Sequence, residues 1–201
     1  MIRVAMCLAA LAAAQSAKED EKLKYPPFTL VITAKTAGTP DVERQAFEKG
    51  LKQLKGLAEL LNRVPAPRGD AGYEDFTFEI PGNVKFDPTP FWHTFINVKV
   101  RKYRLTMTGT LSQEEKTKKL FITSYSGKTK VKLMNRPKSS FDNPDDKVED
   151  LVGELTKESS DEGKLHFVVT GEIFSSGGTL AILLSSYKGA EPPPKPKEPK
   201  K

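Results

Sequence analysis

The sequence is nearly without cysteine and histidine. Its single cysteine, Cys7, lies in an apolar stretch at the N-terminus, and its two histidines, His93 and His166, are far apart in the chain. Beyond Cys7, the chain therefore has no disulfide and no thiolate to act as a nucleophile or a soft-metal ligand. Its stability must come from packing. Two isolated histidines also leave few schemes for acid–base or metal chemistry.

Motifs of common enzyme classes are missing as well. The chain has no glycine-rich phosphate loop, no paired-histidine zinc motif, no dinucleotide fingerprint and no serine at a nucleophile elbow. These absences favour a non-enzymatic binding or structural module of unknown ligand, with no catalytic residue and no cofactor. Two alternatives stay open: a hydrolase built on serine or carboxylates, and a protein that binds metal through ligands other than cysteine.

Long apolar runs are scarce, and the one at the N-terminus is short. Arg3 precedes an apolar run from Val4 to Ala14, and small residues and then a charged segment follow it. This layout is typical of a secretory signal peptide, and the run is shorter than the ~20 residues that a membrane-spanning helix needs. We expect residues 1–17 to be a signal peptide, with export to the periplasm or the extracellular space and no transmembrane anchor.

Composition divides the rest of the chain. The tail from Gly189, which ends in EPPPKPKEPKK, is rich in proline and lysine and is expected to be disordered. Before this tail, the hydrophobic period changes near Leu111 from a mixture of helix and strand patterns to strand patterns alone. The sequence therefore predicts an α/β unit over residues 18–111, an antiparallel β unit over residues 112–188 and a disordered tail over residues 189–201.

The first unit begins with a strand, PPFTLVITAK, and a helix. Thr39 and Pro40 mark the helix start, and an apolar face at helical spacing extends to about Asn62. The members of this face are Val42, Ala46, Phe47, Leu51, Leu54, Ala58 and Leu61. Strands are predicted over residues 73–86 and 100–111, with a short helix over residues 87–98 between them.

The second unit consists of strand-like segments. Turn-forming residues separate five of them: KKLFITSYS, GKTKVKLMN, VEDLVGELTK, KLHFVVTGEIF and GTLAILLSSYK. The whole pattern predicts an α+β fold, in which an N-terminal ferredoxin-like split βαβ unit is followed by a mostly antiparallel β meander or small barrel.

The strand, loop and helix of residues 26–61 resemble the start of the heavy-metal-associated domain, a ferredoxin-like fold in soft-metal chaperones and metal-pumping ATPases. The landmarks, in a helix that ends in GLKQLKGLAEL, are Phe47, Leu51, Leu54 and Gly56. That family binds metal with two cysteines, separated by two residues, in the loop that enters the helix. Pro40 and Glu43 stand at those positions here. Since soft metals need thiolates, the resemblance implies a degenerate domain that lacks the family's metal site.

Other candidate ligands are weak. His93 lies beside Trp92 in PFWHTF, where aromatic neighbours would shield a ligand, although the ordinary interpretation is a histidine at the core boundary. His166 lies in a predicted strand and is expected to face solvent or a rim position. The acidic run DNPDDKVED, residues 142–150, lacks the glycine and the closing glutamate of an EF-hand loop and is interpreted as a solvated loop.

The clearest surface feature is the alternation in GKTKVKLM. Lys128, Lys130 and Lys132 share one face of a strand, and the intervening threonine, valine and leucine share the other. This predicts a basic sheet face, to which the preceding strand could add Lys99, Arg101, Lys102 and Arg104. Such a face fits an anionic polymer, a lipid surface or an acidic protein, while nucleic acid is not expected for an exported chain. The alternatives are pairing with the acidic segment of residues 141–162 and a charged edge that discourages aggregation.

Overall fold

One sheet contains all eight strands of the described residues. The computed structural model describes residues 24–66, 72–137, 150–161, 165–176 and 179–193. The elements are β1 (Phe28–Lys35), α1 (Asp41–Gln53), a short 3-10 helix (Leu54–Gly56), β2 (Glu59–Pro65), β3 (Glu74–Ile80), α2 (Thr89–Thr94), β4 (Lys99–Gln113), β5 (Leu120–Ser124), β6 (Lys130–Met134), α3 (Leu151–Asp161), β7 (His166–Ser176) and β8 (Thr179–Gly189). The expected signal peptide, most of the acidic run and the end of the tail lie outside the described residues.

The sheet closes on itself through β4. The strand order is β2-β3-β1-β4-β5-β6-β8-β7, and a further pairing joins β4 to β7. One edge of β4 pairs with β1 and then with β5, while its other edge pairs with β7. Strands β4, β5, β6, β8 and β7 therefore form a closed five-stranded barrel, and β1, β3 and β2 extend its sheet.

The barrel has the topology of an OB fold. Counted from β4, its strands follow the order 1-2-3-5-4, with the fourth strand paired back to the first. Helix α3 lies between the third and fourth strands, and the third and fifth strands, β6 and β8, are parallel. A five-stranded Greek-key barrel of this kind characterises the OB fold.

The predicted fold class is wrong. The chain is mostly β, and its main feature is a closed barrel rather than a ferredoxin-like unit followed by a meander. The first three strands do not form a unit that precedes the barrel, because β4 is shared by both. With 15 residues, β4 is long enough to pair with β1 in its first half and to build the barrel in its second, and it runs without a break through Leu111.

Two segments adopt a different secondary structure from the predicted one. The helix expected to reach Asn62 ends earlier, and residues 59–65 form β2, whose partner is β3. The segment VEDLVGELTK, expected to be a strand, contains the start of α3. There the Asp150 carboxylate accepts a hydrogen bond from the Gly153 backbone N–H at 2.9 Å, which caps the helix, and Leu155 is fully buried.

Aromatic rings attach α1 and α2 to the sheet. Phe47 of α1, Phe76 of β3 and Phe95 at the end of α2 pack edge to face, with ring centroids 5.0 to 5.6 Å apart. All three side chains are buried. Edge-to-face pairs contribute about 0.5 to 1.5 kcal/mol beyond the burial of their surface, so this cluster is a centre of stability for the extension of the barrel sheet.

Arg63 links the edge strand β2 to its neighbours. Its guanidinium donates to both carboxylate oxygens of Glu74, at 2.9 and 2.8 Å, and to Glu48 at 3.1 Å. It also lies over the ring of Phe76, 4.9 Å from the centroid. The hydrogen bond from Arg63 holds the pKa of Glu74 below its ordinary value. The side chain thus joins β2, β3 and α1.

We expect Arg63→Met to lower the free energy of unfolding by about 1 kcal/mol or less at neutral pH, because the pair is partly exposed. The folded pKa of Glu74 is depressed, so this contribution is present above the unfolded pKa and is lost as the pH falls through the folded pKa. Urea unfolding of the wild type and the variant between neutral and acid pH should show a difference in the free energy of unfolding that narrows below about pH 4. Arg44→Met removes an exposed pair with Asp41 and serves as the control. A difference between the two proteins that stays constant with pH would show that the contribution of Arg63 does not depend on the ionisation of Glu74.

Candidate functional site

The candidate site is the outer surface of the β5–β6 hairpin. Strand β5 buries Leu120, Ile122 and Ser124, so Phe121 and Thr123 face outward. Strand β6 buries Val131 and Leu133, so Lys130 and Lys132 face outward beside them. We call the outward residues the basic face, and it consists of Phe121, Thr123, Tyr125, Lys128, Lys130 and Lys132.

The pairing register sets an ammonium group above an aromatic ring. Phe121 lies opposite Lys132, and Thr123 lies opposite Lys130. From this diagonal position, the Nζ atom of Lys130 lies 4.4 Å from the centroid of the Phe121 ring. The distance is that of a cation–π contact. Phe121 is half-buried and Lys130 is exposed, so both the ring and the charge can be reached from solvent.

The turn between the two strands places Lys128 at the end of the face. Gly127 has a φ of 71°, which favours glycine, and its N–H donates to the Ser124 carbonyl at 2.8 Å. The Thr129 side chain is buried and its hydroxyl accepts from the Phe86 N–H at 2.8 Å. Lys128 lies between Gly127 and Thr129 and is exposed, so the three lysines lie in a row on the outer side of the hairpin.

Polar and aromatic side chains continue the face towards β4 and β7. Thr123 is opposite Thr110 of β4, which in turn is opposite His166 of β7. The ring of Tyr125 packs edge to face with His166 at 5.5 Å, and its hydroxyl donates to the Glu191 carbonyl at 2.8 Å. Burial raises the pKa of Tyr125, so this phenol stays neutral at physiological pH. His166 therefore borders the basic face as a packed, half-buried ring.

Carboxylates do not neutralise the basic face within the described part of the chain. The ion pairs found there involve Arg44 and Arg63, and none involves Lys128, Lys130 or Lys132. In the described part of the acidic segment, Glu154 and Glu158 of α3 lie near Tyr187 of β8, whose pKa is raised by burial and then by these two charges. Asp150 binds the amide of Asn135, just beyond β6, at 2.6 Å.

The cations of β4 do not join the face. The first half of β4 carries Lys99, Arg101, Lys102 and Arg104 and pairs with β1, and β7 joins it only from Arg104 onward. β5 pairs with the second half. Arg104 is opposite Glu172 of β7, an arrangement that favours opposite charges.

The other predicted candidates lie elsewhere. Trp92 is half-buried and His93 is exposed on α2, where His93 lines a cleft of about 450 Å³ that α1 also lines. Pro40 precedes α1 and Glu43 lies in its first turn, and both are exposed. Among the described residues, no group of three histidine, cysteine, aspartate or glutamate side chains is placed to hold a metal ion.

Sequence reasoning identified the lysines but missed Phe121 and Tyr125. A signal was present, because KKLFITSYS alternates in the same way as GKTKVKLM, with leucine and isoleucine on one face and Phe121, Thr123 and Tyr125 on the other. The contact between Phe121 and Lys130 depends on the register of two strands, which the alternation alone does not define.

Comparison of the chain with family models, curated proteins and solved structures finds no match. The resemblance to the heavy-metal-associated domain therefore stays a prediction, and any function must be argued from the residues. Every helix within the described ranges is too short or too polar to cross a bilayer.

Proposed function

We propose that the chain is an exported, non-enzymatic binding module that holds an anionic polymer on the basic face. The observation that carries this proposal is the exposed ammonium of Lys130, 4.4 Å above the Phe121 ring, with Lys128 and Lys132 on the same side of the hairpin. The lysines attract a charged chain, and the ring offers it an apolar contact surface. A row of cations beside an aromatic ring suits a ligand with repeated negative charges.

Two features support this location. The hairpin β5–β6 corresponds to the second and third strands of the barrel, and in OB folds this surface binds oligonucleotides and oligosaccharides. This is an analogy at the level of the fold, so the argument depends on the residues themselves. Within the described ranges, no carboxylate forms an ion pair with these lysines.

The N-terminal sequence favours one class of polymer. Arg3 and the apolar run from Val4 to Ala14 favour export, and an exported chain would rarely meet nucleic acid. We therefore propose an acidic polysaccharide rather than a nucleic acid as the ligand.

We expect the triple variant Lys128→Gln, Lys130→Gln, Lys132→Gln to bind immobilised heparin, a sulfated polysaccharide probe, about tenfold more weakly than the wild type, since each ammonium contributes on the order of 0.5 kcal/mol. Thermal stability should stay nearly unchanged, because the substituted side chains are exposed or half-exposed. Retention of the wild type should fall steeply as salt rises, because screening acts over roughly 8 to 10 Å at physiological salt. The salt concentration at elution measures heparin binding and its dependence on salt, and thermal unfolding measures stability.

The control is Lys49→Gln, Lys52→Gln, Lys55→Gln, which removes the same charge from α1 and the 3-10 helix and should elute close to the wild type. Equal losses in the two triple variants would show that net charge alone determines retention. Tighter binding of single-stranded DNA than of heparin at matched salt would refute the assignment to a polysaccharide. A marked loss of stability in the first variant would instead indicate that the lysines pair with the acidic segment.

A further inference from the structure

A second surface, far along the sheet from the basic face, has an open strand edge. β2 is the outermost strand, β3 pairs with one of its edges, and no described strand pairs with the other. All seven residues of β2 are exposed. An unpaired edge presents backbone N–H and C=O groups to which another extended chain can bind.

The edge has Glu59 and Pro65 at its two ends and is mostly apolar between them. Leu60, Leu61 and Val64 are 42, 50 and 45 % exposed. Sheet edges are usually protected from pairing by lysine, proline or charges that project from the strand. The only cation of β2, Arg63, instead lies over Phe76 and binds Glu74 and Glu48. Exposed apolar side chains on an open edge indicate a binding surface.

A groove runs beside this edge. It has a volume of about 660 Å³ and lies between α1, the 3-10 helix and β2. Its apolar lining comprises Leu51, Leu54, Ala58, Leu60 and Phe78. Lys52 and Lys55 also line it, both are exposed, and neither belongs to an ion pair within the described ranges. The volume is typical of protein ligand sites. The lining carries three cations, Lys52, Lys55 and Arg63, against two carboxylates, Glu48 and Glu59, and Arg63 pairs with Glu48, so the charge of the groove is positive on balance.

We infer that β2 and this groove bind an extended acidic peptide by strand addition. The peptide backbone pairs with the open edge of β2, an apolar side chain enters the groove against Leu60 and Phe78, and a carboxylate reaches Lys52 or Lys55. In this mode of recognition, backbone hydrogen bonds provide affinity and pockets for alternate side chains provide specificity. The site is separate from the basic face and does not depend on the function proposed for that face.

Charge favours a peptide over a second copy of the chain. Two copies paired through β2 by a two-fold axis perpendicular to the sheet would place both grooves on the same side of the sheet, and with them Lys52 and Lys55 of each molecule. Like charges in apposition oppose such a dimer. An acidic peptide meets the same lysines with the opposite charge.

The probe is a blocked, fluorescein-labelled heptapeptide of alternating valine and glutamate. By fluorescence anisotropy, we expect a Kd on the order of 10 to 100 μM for the full chain, weakened about tenfold by Lys52→Glu with Lys55→Glu. The matched control, Lys49→Glu, changes a charge on the same helix that does not line this groove and should bind as the wild type does. The same peptide with N-methyl groups on alternate amides should not bind, because strand addition needs its N–H donors.

Four results would overturn the inference. They are no binding at about 1 mM peptide, equal binding of the N-methylated peptide, loss of binding in the triple variant of Lys128, Lys130 and Lys132, and a stable dimer that Leu60→Asp dissociates. The third would assign the peptide to the basic face, and the fourth would show that a second copy covers β2. The Lys52 and Lys55 variant keeps the basic face intact. Its retention on heparin therefore tests the proposed function of the basic face separately from peptide binding at β2.

Discussion

Replacing Phe95 with alanine is expected to lower the free energy of unfolding by about 3 to 5 kcal/mol, the usual range for a buried phenylalanine. Phe95 is 1 % exposed, and its ring lies 5.0 Å from that of Phe47 and 5.3 Å from that of Phe76. The change leaves a cavity where α1, β3 and the end of α2 meet. Because these elements form one packed cluster, the cavity weakens the attachment of both helices to the sheet.

Urea unfolding measures this effect, with the neighbouring residue as a control. Ile96 is 71 % exposed, and Ile96→Ala should change the free energy of unfolding by no more than about 0.5 kcal/mol. Phe95→Leu, which fills part of the space, should give an intermediate value. If Phe95→Ala lost no more than the control, the ring cluster would not be a centre of stability.

The second large effect is expected at Gly109, where β4 is paired on both edges. Gly109 is opposite Ser124 of β5 and Phe167 of β7. A Cβ atom at this position would lie 2.2 Å from the carbonyl oxygen of Thr123, which belongs to the backbone of β5. Relief requires β4 and β5 to move apart in a closed barrel. We expect Gly109→Ala to lower the free energy of unfolding by about 3 kcal/mol, the upper end of the usual range for overpacking.

Gly56→Ala is the matched control for this substitution. Nothing lies within 4 Å of a Cβ atom added at Gly56, so alanine should be neutral or slightly stabilising there. Thermal unfolding of both variants, followed by circular dichroism, compares the same chemical change at a crowded and at an open position. Equal melting temperatures for the two variants would show that the barrel accommodates the extra methyl group.

The sequence predicted local strand faces well where one side of a strand is buried. In GKTKVKLM, the residues between the lysines are buried and the lysines lie on the outer side, as the alternation indicates. Period-2 patterns identify such faces because a shift of one residue would move every apolar side chain into water. The same pattern could not show that Lys130 would lie over Phe121, since that contact depends on how β5 and β6 pair.

The segments that were predicted incorrectly are those whose structure depends on distant partners. The leucines of residues 54–61 continue a helical period, but pairing with β3 makes the end of this segment a strand. In α3, Leu151, Val152 and Leu155 lie on the side packed towards the core. Over the ten residues of VEDLVGELTK, the spacing of these apolar residues did not distinguish a helix from a strand. The closure of the barrel could not be predicted from local sequence patterns either, because Thr110 pairs with His166, which is distant in the sequence.

The strands that close the barrel are the last of the described strands to be synthesised. β7 completes the free edge of β4, and β8 completes the free edge of β6, so the barrel cannot form until the chain has been made to about Gly189. Pairings between residues so distant in sequence form slowly, because the connecting chain must first be ordered. If the chain is exported as we propose, this order of assembly has a benefit during secretion. A polypeptide that leaves the cytoplasm while it is being made arrives at the export channel before its barrel can close, in the extended state that a narrow channel accepts.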